Sequence, residues 1–266
     1  MTERRNARQR FPAGLTQPVG CARFSVDALL LAAFAAHTLR GLPPPKRGPF
    51  LELGCGAGAA LLAVALLQED SYGVGVEQAP PLTNAARENA LHLELTDRLT
   101  ILDGFLPERE TLRRCRELLA TYPQGRKGAS LVLANPPYGE EGDGRASSSA
   151  LADMARRGSD GTLHDFCFSA TRVLCHKGFF CCIYDARVLS RLFKACSENH
   201  LGIRRLLPVH PRIGTPARRI LLEARRDASH DIALEEALYL HPSDHDTGTR
   251  WTAQALSFCP FLEGSP

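Results

Sequence analysis

The feature that most constrains the fold is a short apolar segment that stops at two prolines. Leu131 to Ala134 is an unbroken apolar run with the length and composition of a buried parallel strand. It is followed by Asn135-Pro136-Pro137-Tyr138, and because proline lacks a backbone N–H, the strand cannot continue into a sheet. An amide side chain and an aromatic ring are therefore predicted at a strand end, which is where open α/β sheets bind their ligands.

Similar strand-like segments recur along the chain, and helical segments separate most of them. Strand–helix alternation with short connections predicts an α/β fold with a seven-stranded, mostly parallel sheet and helices on both faces. No helical segment separates the last two strands, so we predict an antiparallel hairpin at one edge. Residues 1–24 are predicted to be a basic arm and an irregular segment, and residues 25–266 a single domain. The predicted strands are 49–53, 72–77, 98–102, 130–134, 178–184, 203–209 and 219–224.

The charge of the chain leaves the class of partner open. The formal net charge is only +3, although arginines cluster at several places, such as Arg4-Arg5 and Arg218-Arg219. Such clusters suit phosphate groups if several share a face, and solvated helix faces are the alternative interpretation. The longest apolar stretch, residues 26–36, contains an aspartate and is too short to cross a bilayer, so we predict no membrane segment.

The cysteines indicate a reducing compartment rather than a metal site. There are nine, with no C-x-x-C pair, and several lie within apolar patterns. This usage is typical of reduced, buried thiols in a cytoplasmic protein. Thiolate and imidazole ligands would need a regular spacing that this sequence lacks, so we predict no metal.

A glycine-rich loop follows the first predicted strand. It reads Glu52-Leu53-Gly54-Cys55-Gly56-Ala57-Gly58, and a nearly all-apolar helix begins after it. Glycine at alternate positions lets the backbone take positive φ and approach a ligand closely, and the helix N-terminus favours an anionic group. The loop fits an S-adenosylmethionine site, in which Glu52 suits the positive amino-acid head, but it also fits a nucleotide site or a structural turn.

Acidic residues end the second and third predicted strands. Glu77 is placed to accept both ribose hydroxyls of a nucleoside, as acidic residues do at this position of doubly wound folds. Asp103 is placed to accept from an adenine amino group. The alternative interpretations are a solvated carboxylate at Glu77 and an Asx turn before Gly104 at Asp103.

Downstream of an S-adenosylmethionine loop, Asn135-Pro136-Pro137-Tyr138 predicts methyl transfer to a planar amine. The carbonyls of the Asn135 side chain and the Pro136 backbone can accept both N–H groups, which localises the lone pair toward the sulfonium. The Tyr138 ring can stack on the flat group, and neither a metal nor a strong base is required. A structural Asn-Pro turn is the alternative interpretation.

The two motifs together resemble class I S-adenosylmethionine-dependent methyltransferases that modify exocyclic or amide nitrogens. Further stretches narrow the resemblance, namely Arg23-Phe24-Ser25-Val26-Asp27, Val209-His210-Pro211-Arg212 and Pro216-Ala217-Arg218-Arg219. From about residue 15 to residue 226 the chain is similar to the bacterial tRNA1(Val) (adenine-N6)-methyltransferase family, the YfiC-like group. That family modifies the adenosine just 3′ of the anticodon.

The resemblance implies a Rossmann-like class I methyltransferase fold with S-adenosylmethionine as cofactor. Arg23 and Asp27 would lie over the amino-acid end of the cofactor. On spacing alone, residues 210–218 fit a basic loop that contacts substrate and a plain surface hairpin equally well. The expected cofactor-binding residues are Arg23, Asp27, Glu52, Gly54, Gly56, Gly58, Glu77, Asp103 and Asn135. The expected catalytic residues are Asn135, Pro136, Pro137 and Tyr138, and the expected substrate contacts are Tyr138, His210, Arg212 and Arg218.

The expected partner is RNA, with tRNA favoured. A base within a folded anticodon loop must be splayed out or flipped to enter such a pocket. The same pocket could instead serve an rRNA guanine, a DNA adenine or a protein glutamine. The alternative of a different class is a non-catalytic RNA-binding protein that keeps the methyltransferase fold.

Overall fold

The computed structural model describes residues 8–21, 24–137, 160–243 and 250–265. Within these ranges the helices are α1 (Val26–Gly41), α2 (Ala59–Leu67), α3 (Pro80–His92), α4 (Arg109–Thr121), α5 (Asp160–Val173), α6 (Leu189–Glu198) and α7 (Ala253–Phe258). The strands are β1 (Phe50–Leu53), β2 (Gly73–Glu77), β3 (Leu99–Asp103), β4 (Ala129–Ala134), β5 (Leu174–Asp185), β6 (Leu201–Arg212), β7 (Arg219–Arg226), β8 (Ala233–Leu234) and β9 (Leu238–His241).

These strands form one sheet in the order β3-β2-β1-β4-β5-β7-β6-β8, with β9 also paired to β6. Strands β1 to β5 are parallel, and β7 is antiparallel to both β5 and β6. We call the edge at which β1 to β5 end the carboxyl edge. Because Arg219 pairs with Asp185 on one side and Val209 on the other, β7 begins and β6 ends at this same edge.

The structure confirms the α/β class and the antiparallel pairing of β6 with β7, but it corrects the strand number. The described sheet holds nine strands rather than seven. The additional strands, β8 and β9, lie in the weakly patterned tail and both pair with β6. The β6–β7 hairpin was predicted at one edge of the sheet, and this prediction is wrong. The hairpin lies inside the sheet, between β5 on one side and β8 and β9 on the other. Strands of two to four residues are too short to leave a periodic signal in the sequence.

Helices cover both faces of the sheet. Helices α1, α2, α3 and α7 contribute to one hydrophobic cluster, and α4, α5 and α6 to the cluster on the opposite face. Helix α1 is buried on almost every side, and residues 28–36 are all buried. The tail covers its outer face, where the Cys259 thiol donates to the carbonyl of Leu29 at 3.4 Å and the Phe258 ring meets His37. An apolar helix of this kind is stable only when such a second layer excludes water from it.

The N-terminal segment, from residue 8 onward, also packs on this face. The Phe11 ring is 4% exposed and meets the Phe261 ring edge-on, with centroids 4.7 Å apart. The guanidinium of Arg8 donates to the carbonyl of Leu93 at 3.2 Å. The first and last described parts of the chain therefore contact each other beside α1.

Candidate functional site

The glycine loop joins the end of β1 to the start of α2 at the carboxyl edge. Gly54, Gly56 and Gly58 all have positive φ, at 68°, 55° and 89°, as their alternation predicts. A Cβ on Gly58 would lie 3.4 Å from the Cβ of Ala86, so this glycine lets α3 approach the loop. A Cβ on Gly56 would meet no atom of the described residues within 4 Å, so these residues leave open space over the middle of the loop.

An aromatic ring that the sequence analysis missed lies against the first loop glycine. A Cβ on Gly54 would be 3.2 Å from the Phe166 ring, which belongs to α5. Phe166 has the spacing of a core residue of its helix, so its sequence carries no separate signal for this position. The contact places the N-terminal half of α5 beside the glycine loop.

The Glu77 carboxylate, at the end of β2, organises the loop. One of its oxygens accepts from the amide of Gly56, and the other accepts from the amides of Gln78 and Ala79, each at 2.9 Å. A carboxylate offers about four acceptor sites, so about one stays available for a ligand hydroxyl. Glu77 thus has a structural role in addition to the ribose contact predicted for it.

Glu52 lies on β1, two residues before the loop, and is 3% exposed. One of its carboxylate oxygens, Oε2, is buried and makes no hydrogen bond within the described residues. Burial raises the pKa of Glu52 well above its usual range; the Leu61 amide opposes this shift, and the charge of Glu77 adds to it. A buried carboxyl whose Oε2 has no partner within the described residues is suited to a cationic group on a ligand, which would restore its charged form.

Asn135 presents a second unpartnered acceptor on the neighbouring strand. It follows β4 directly, and β4 lies beside β1, with Ala134 paired to Leu53. The side-chain oxygen Oδ1 of Asn135 is buried and accepts no hydrogen bond from the part of the chain that the structure describes. Pro136 is buried and Pro137 partly buried, so the turn is fixed. Tyr138 lies outside the described residues.

Asp103 ends β3 and is engaged by a residue that the sequence did not single out. The Arg87 guanidinium, on α3, donates to Asp103 Oδ2 at 2.6 Å and to the carbonyl of Ile101 at 3.1 Å. This hydrogen bond lowers the pKa of Asp103, whose side chain is 56% exposed. The Phe105 side chain, two residues further on, is 57% exposed and offers a flat apolar surface beside it.

A chain of charges links the start of α1 to β5 and β7. Arg219 donates from Nε to Asp27 Oδ2 at 2.8 Å, and Nη1 of the same guanidinium lies 3.8 Å from Asp185 Oδ2. Asp185 in turn accepts from the side chain and backbone of Arg187, and the hydrogen bond from the Arg187 side chain lowers the pKa of Asp185. Asp27 thus lies at the carboxyl edge, held by Arg219, and its contact with the amino-acid end of the cofactor stays a prediction. Arg23, its predicted companion, lies outside the described residues.

The predicted substrate contacts lie at the same edge but further along the sheet. His210 and Arg212 are the last turn-side residues of β6, and Arg218 is exposed just before β7. The tail adds rings that the sequence analysis missed. Tyr239 and His241 pair in register with His210 and Arg212, and Trp251 stacks on His241. The pairing depends on β9, which left no sequence signal.

The described ranges contain neither a membrane-spanning helix nor a cluster of metal ligands. No helix there combines the length and the apolar composition needed to span a bilayer. Nor are three His, Cys, Asp or Glu side chains grouped there so that they could hold a metal ion.

Comparison with known proteins relates the chain to methyltransferases. No protein-family model matches it. It is 26% identical over 230 residues to the tRNA1(Val) (adenine(37)-N6)-methyltransferase of Yersinia enterocolitica, which covers 82% of this chain and 81% of that protein. It is 31% identical over 102 residues to the release factor glutamine methyltransferase of Caulobacter vibrioides, covering 38% of this chain and 30% of that protein.

Solved structures share the architecture. A predicted O-methyltransferase from Agrobacterium tumefaciens has a TM-score of 0.63 and 20% identity, covering 88% of this chain and 96% of that one. The hMettl16 catalytic domain, in complex with the MAT2A 3'UTR hairpin 1, has a TM-score of 0.56 and 14% identity, covering 88% and 84%. The chain therefore has the Rossmann-like fold of class I methyltransferases, and the resemblance that its motifs predict extends over most of its length.

Proposed function

We propose that this protein is an S-adenosylmethionine-dependent methyltransferase that methylates the N6 amino group of an adenine in RNA, with tRNA near the anticodon as the favoured substrate. The observation that carries the proposal is the buried side-chain oxygen of Asn135, which accepts no hydrogen bond from the residues that the structure describes. It lies at the end of β4, next to the strand that leads into the glycine loop. A hydrogen-bond acceptor in that position suits the amino group of a flat base.

The residues around the loop fit S-adenosylmethionine. The Glu52 oxygen Oε2, which has no partner among the described residues, suits the positive amino-acid head, and the space that these residues leave over Gly56 admits a ligand against the backbone. The remaining acceptor site of Glu77 suits a ribose hydroxyl, and Asp103 with the exposed Phe105 ring suits an adenine. When bound, the cofactor supplies a methyl group on a sulfonium, which a nitrogen lone pair can take up.

The acceptor amine is activated by position rather than by a base. Asn135 Oδ1 and the carbonyl of Pro136 would each accept one N–H, which turns the lone pair out of conjugation with the ring. The two prolines fix these acceptors, so little reorganisation accompanies the reaction. The methylated nitrogen releases its extra proton to water, because the described residues of this turn, Asn135, Pro136 and Pro137, carry no carboxylate that could take it.

Two observations favour an adenine in RNA over the other planar amines as the substrate. The Yersinia relative, similar over most of the chain, is named as a tRNA adenine methyltransferase. The basic residues Arg212 and Arg218 and the aromatic rings of the tail lie at the same edge as Asn135, where phosphates and bases would need them. A protein glutamine is the second candidate, because the Caulobacter relative acts on a release factor and matches at 31% identity.

Transfer of labelled methyl groups tests the proposal. The protein is incubated with methyl-labelled S-adenosylmethionine and, separately, with total tRNA lacking its modifications or with release-factor protein. We expect label in the tRNA and none in the protein. An Asn135→Ala variant should still bind the cofactor through the glycine loop and Glu77, and it should lose at least about 100-fold in kcat, as loss of a preorganised polar group does. Label in the release factor alone would overturn the RNA assignment.

A further inference from the structure

We propose that the outer end of the sheet carries a docking surface for the single-stranded RNA that flanks the target base. We define this flank surface as His210, Arg212, Arg218, Tyr239, His241 and Trp251. The inference rests on the proposed RNA substrate and extends it to residues that act outside the reaction site. Its rings and cations come from three separate segments, which only the β6–β9 pairing brings together.

The rings form two neighbouring pairs, of which His241–Trp251 is stacked and His210–Tyr239 is tilted, with 42° between the ring planes. His210 and Tyr239 have ring centroids 4.9 Å apart, and His241 and Trp251 stack at 4.4 Å with an angle of 25°. Each of these side chains is only partly buried, so ring surface remains open to solvent. Bases of single-stranded RNA stack on such surfaces without sequence preference, because every base has a π face.

Hydrogen bonds hold the rings in place before any partner binds. His210 Nδ1 lies 2.6 Å from the carbonyl oxygen of Thr215, and His241 Nδ1 lies 3.0 Å from that of Arg250. The Thr252 hydroxyl donates to the carbonyl of Tyr239 and accepts from the amide of Ala255. A preordered surface loses less conformational freedom on binding, which favours a recognition role over an incidental cluster.

The charge and position of the surface fit a nucleic acid. Arg218 is exposed at the turn, and Arg212 is in register with His241. Of the two acidic residues just before β9, Glu235 accepts from Arg205 at 2.6 Å, and Glu236 is exposed. Four strand spacings separate β4 from β9, which is about 19 Å at about 4.8 Å each. The rings on β9 are therefore too far from Asn135 to stack on the target base and suit nucleotides several positions away, whereas Arg218, just before β7, lies nearer to it.

Paired variants test the surface in the full-length protein. Trp251→Leu removes the stacking ring, and Trp251→Phe restores a smaller one. Affinity is measured by fluorescence anisotropy with a tRNA anticodon hairpin, a fully paired RNA duplex and a short oligonucleotide spanning only the target adenosine and its neighbours. We expect the leucine variant to weaken hairpin binding by about 5-fold to 100-fold, as loss of one base stack does, and the phenylalanine variant to recover most of it. Binding of the short oligonucleotide should not change.

A charge variant keeps the test valid if the tail fails to fold without Trp251. Arg218→Glu changes an exposed residue at the carboxyl edge, and Arg126→Glu makes the same change at the opposite edge. We expect Arg218→Glu to raise KM for the hairpin by a larger factor than it lowers kcat and to make the dependence of affinity on salt shallower, and Arg126→Glu to change neither. Two results would overturn the flank surface alone, provided that the parent protein methylates RNA. One is an equal effect of the two charge variants, and the other is that neither Trp251→Leu nor Arg218→Glu changes hairpin binding. A parent that transfers methyl groups to no RNA overturns the proposed function and this surface with it.

Discussion

The Glu52→Gln variant gives the sharpest test of how the cofactor is held. In the unfolded chain Glu52 ionises at its ordinary pKa, whereas burial raises the pKa in the folded protein. Between these two values the unfolded chain has lost the proton that the folded protein keeps. The free energy of unfolding therefore falls as pH rises through this window, by up to about 1.4 kcal/mol per pH unit. Glutamine has nearly the same shape and does not titrate.

Without cofactor, the stability of the variant relative to the parent should therefore increase as pH rises from the ordinary pKa of Glu52 toward its raised value in the folded protein. For a domain of this size about 1 kcal/mol corresponds to about 2–4 °C in Tm, so the difference should grow by up to about 3–6 °C per pH unit. With cofactor the order reverses, because the parent can place a carboxylate against the positive amino group. Loss of that charge-assisted hydrogen bond should weaken cofactor binding by about 10-fold to 150-fold.

Differential scanning fluorimetry across pH, with and without S-adenosylmethionine, measures both effects, and calorimetry gives the affinity. If the Tm of Glu52→Gln equals that of the parent at every pH, folding does not raise the pKa of the Glu52 carboxyl. Unchanged cofactor affinity would show that this carboxyl does not face the amino-acid head. Either result refutes the reasoning applied to Glu52.

Two further pairs of variants separate ligand contacts from structural ones. Gly56→Ala and Gly58→Ala each place a Cβ on a positive-φ residue, which costs about 1–2 kcal/mol of folding stability. Calorimetry should show the larger loss of cofactor affinity for the Gly56 variant, because its Cβ enters the space left for a ligand. Thermal unfolding should show the larger loss of stability for the Gly58 variant, because its Cβ meets α3. Phe105→Ala should weaken cofactor binding several-fold while Leu91→Ala, an equally exposed apolar residue at the far end of α3, leaves it unchanged. Equal affinities within either pair would contradict the placement of the cofactor.

The parts of the fold that the sequence predicts are those with local signals. Strand β4 is recognisable because a buried parallel strand is apolar on both faces, and all six of its residues are buried. The loop glycines are recognisable because their backbone conformation excludes most other residues. Helix α1 is recognisable as apolar, but its covering layer, the tail from residue 250 onward, carries no matching pattern.

The parts of the site that the sequence did not reveal depend on contacts between distant segments. Arg87 reaches Asp103 and Phe166 reaches Gly54 only because the helices that bear them pack on particular strands. Nothing in the spacing of these residues distinguishes them from surface or core positions of an ordinary helix. Likewise, the partner of Asp27 is 192 residues away, and the β5–β7 pairing brings it there.

The identity of the modified nucleoside tests the central claim most directly. Total tRNA from cells lacking this protein is treated with the purified enzyme and S-adenosylmethionine, digested to nucleosides and resolved by mass spectrometry. The account predicts one additional N6-methyladenosine with the parent protein and none with Asn135→Ala. A methyl group on another nucleoside, or the same N6-methyladenosine yield from the alanine variant, would contradict the role assigned to Asn135 at the end of β4.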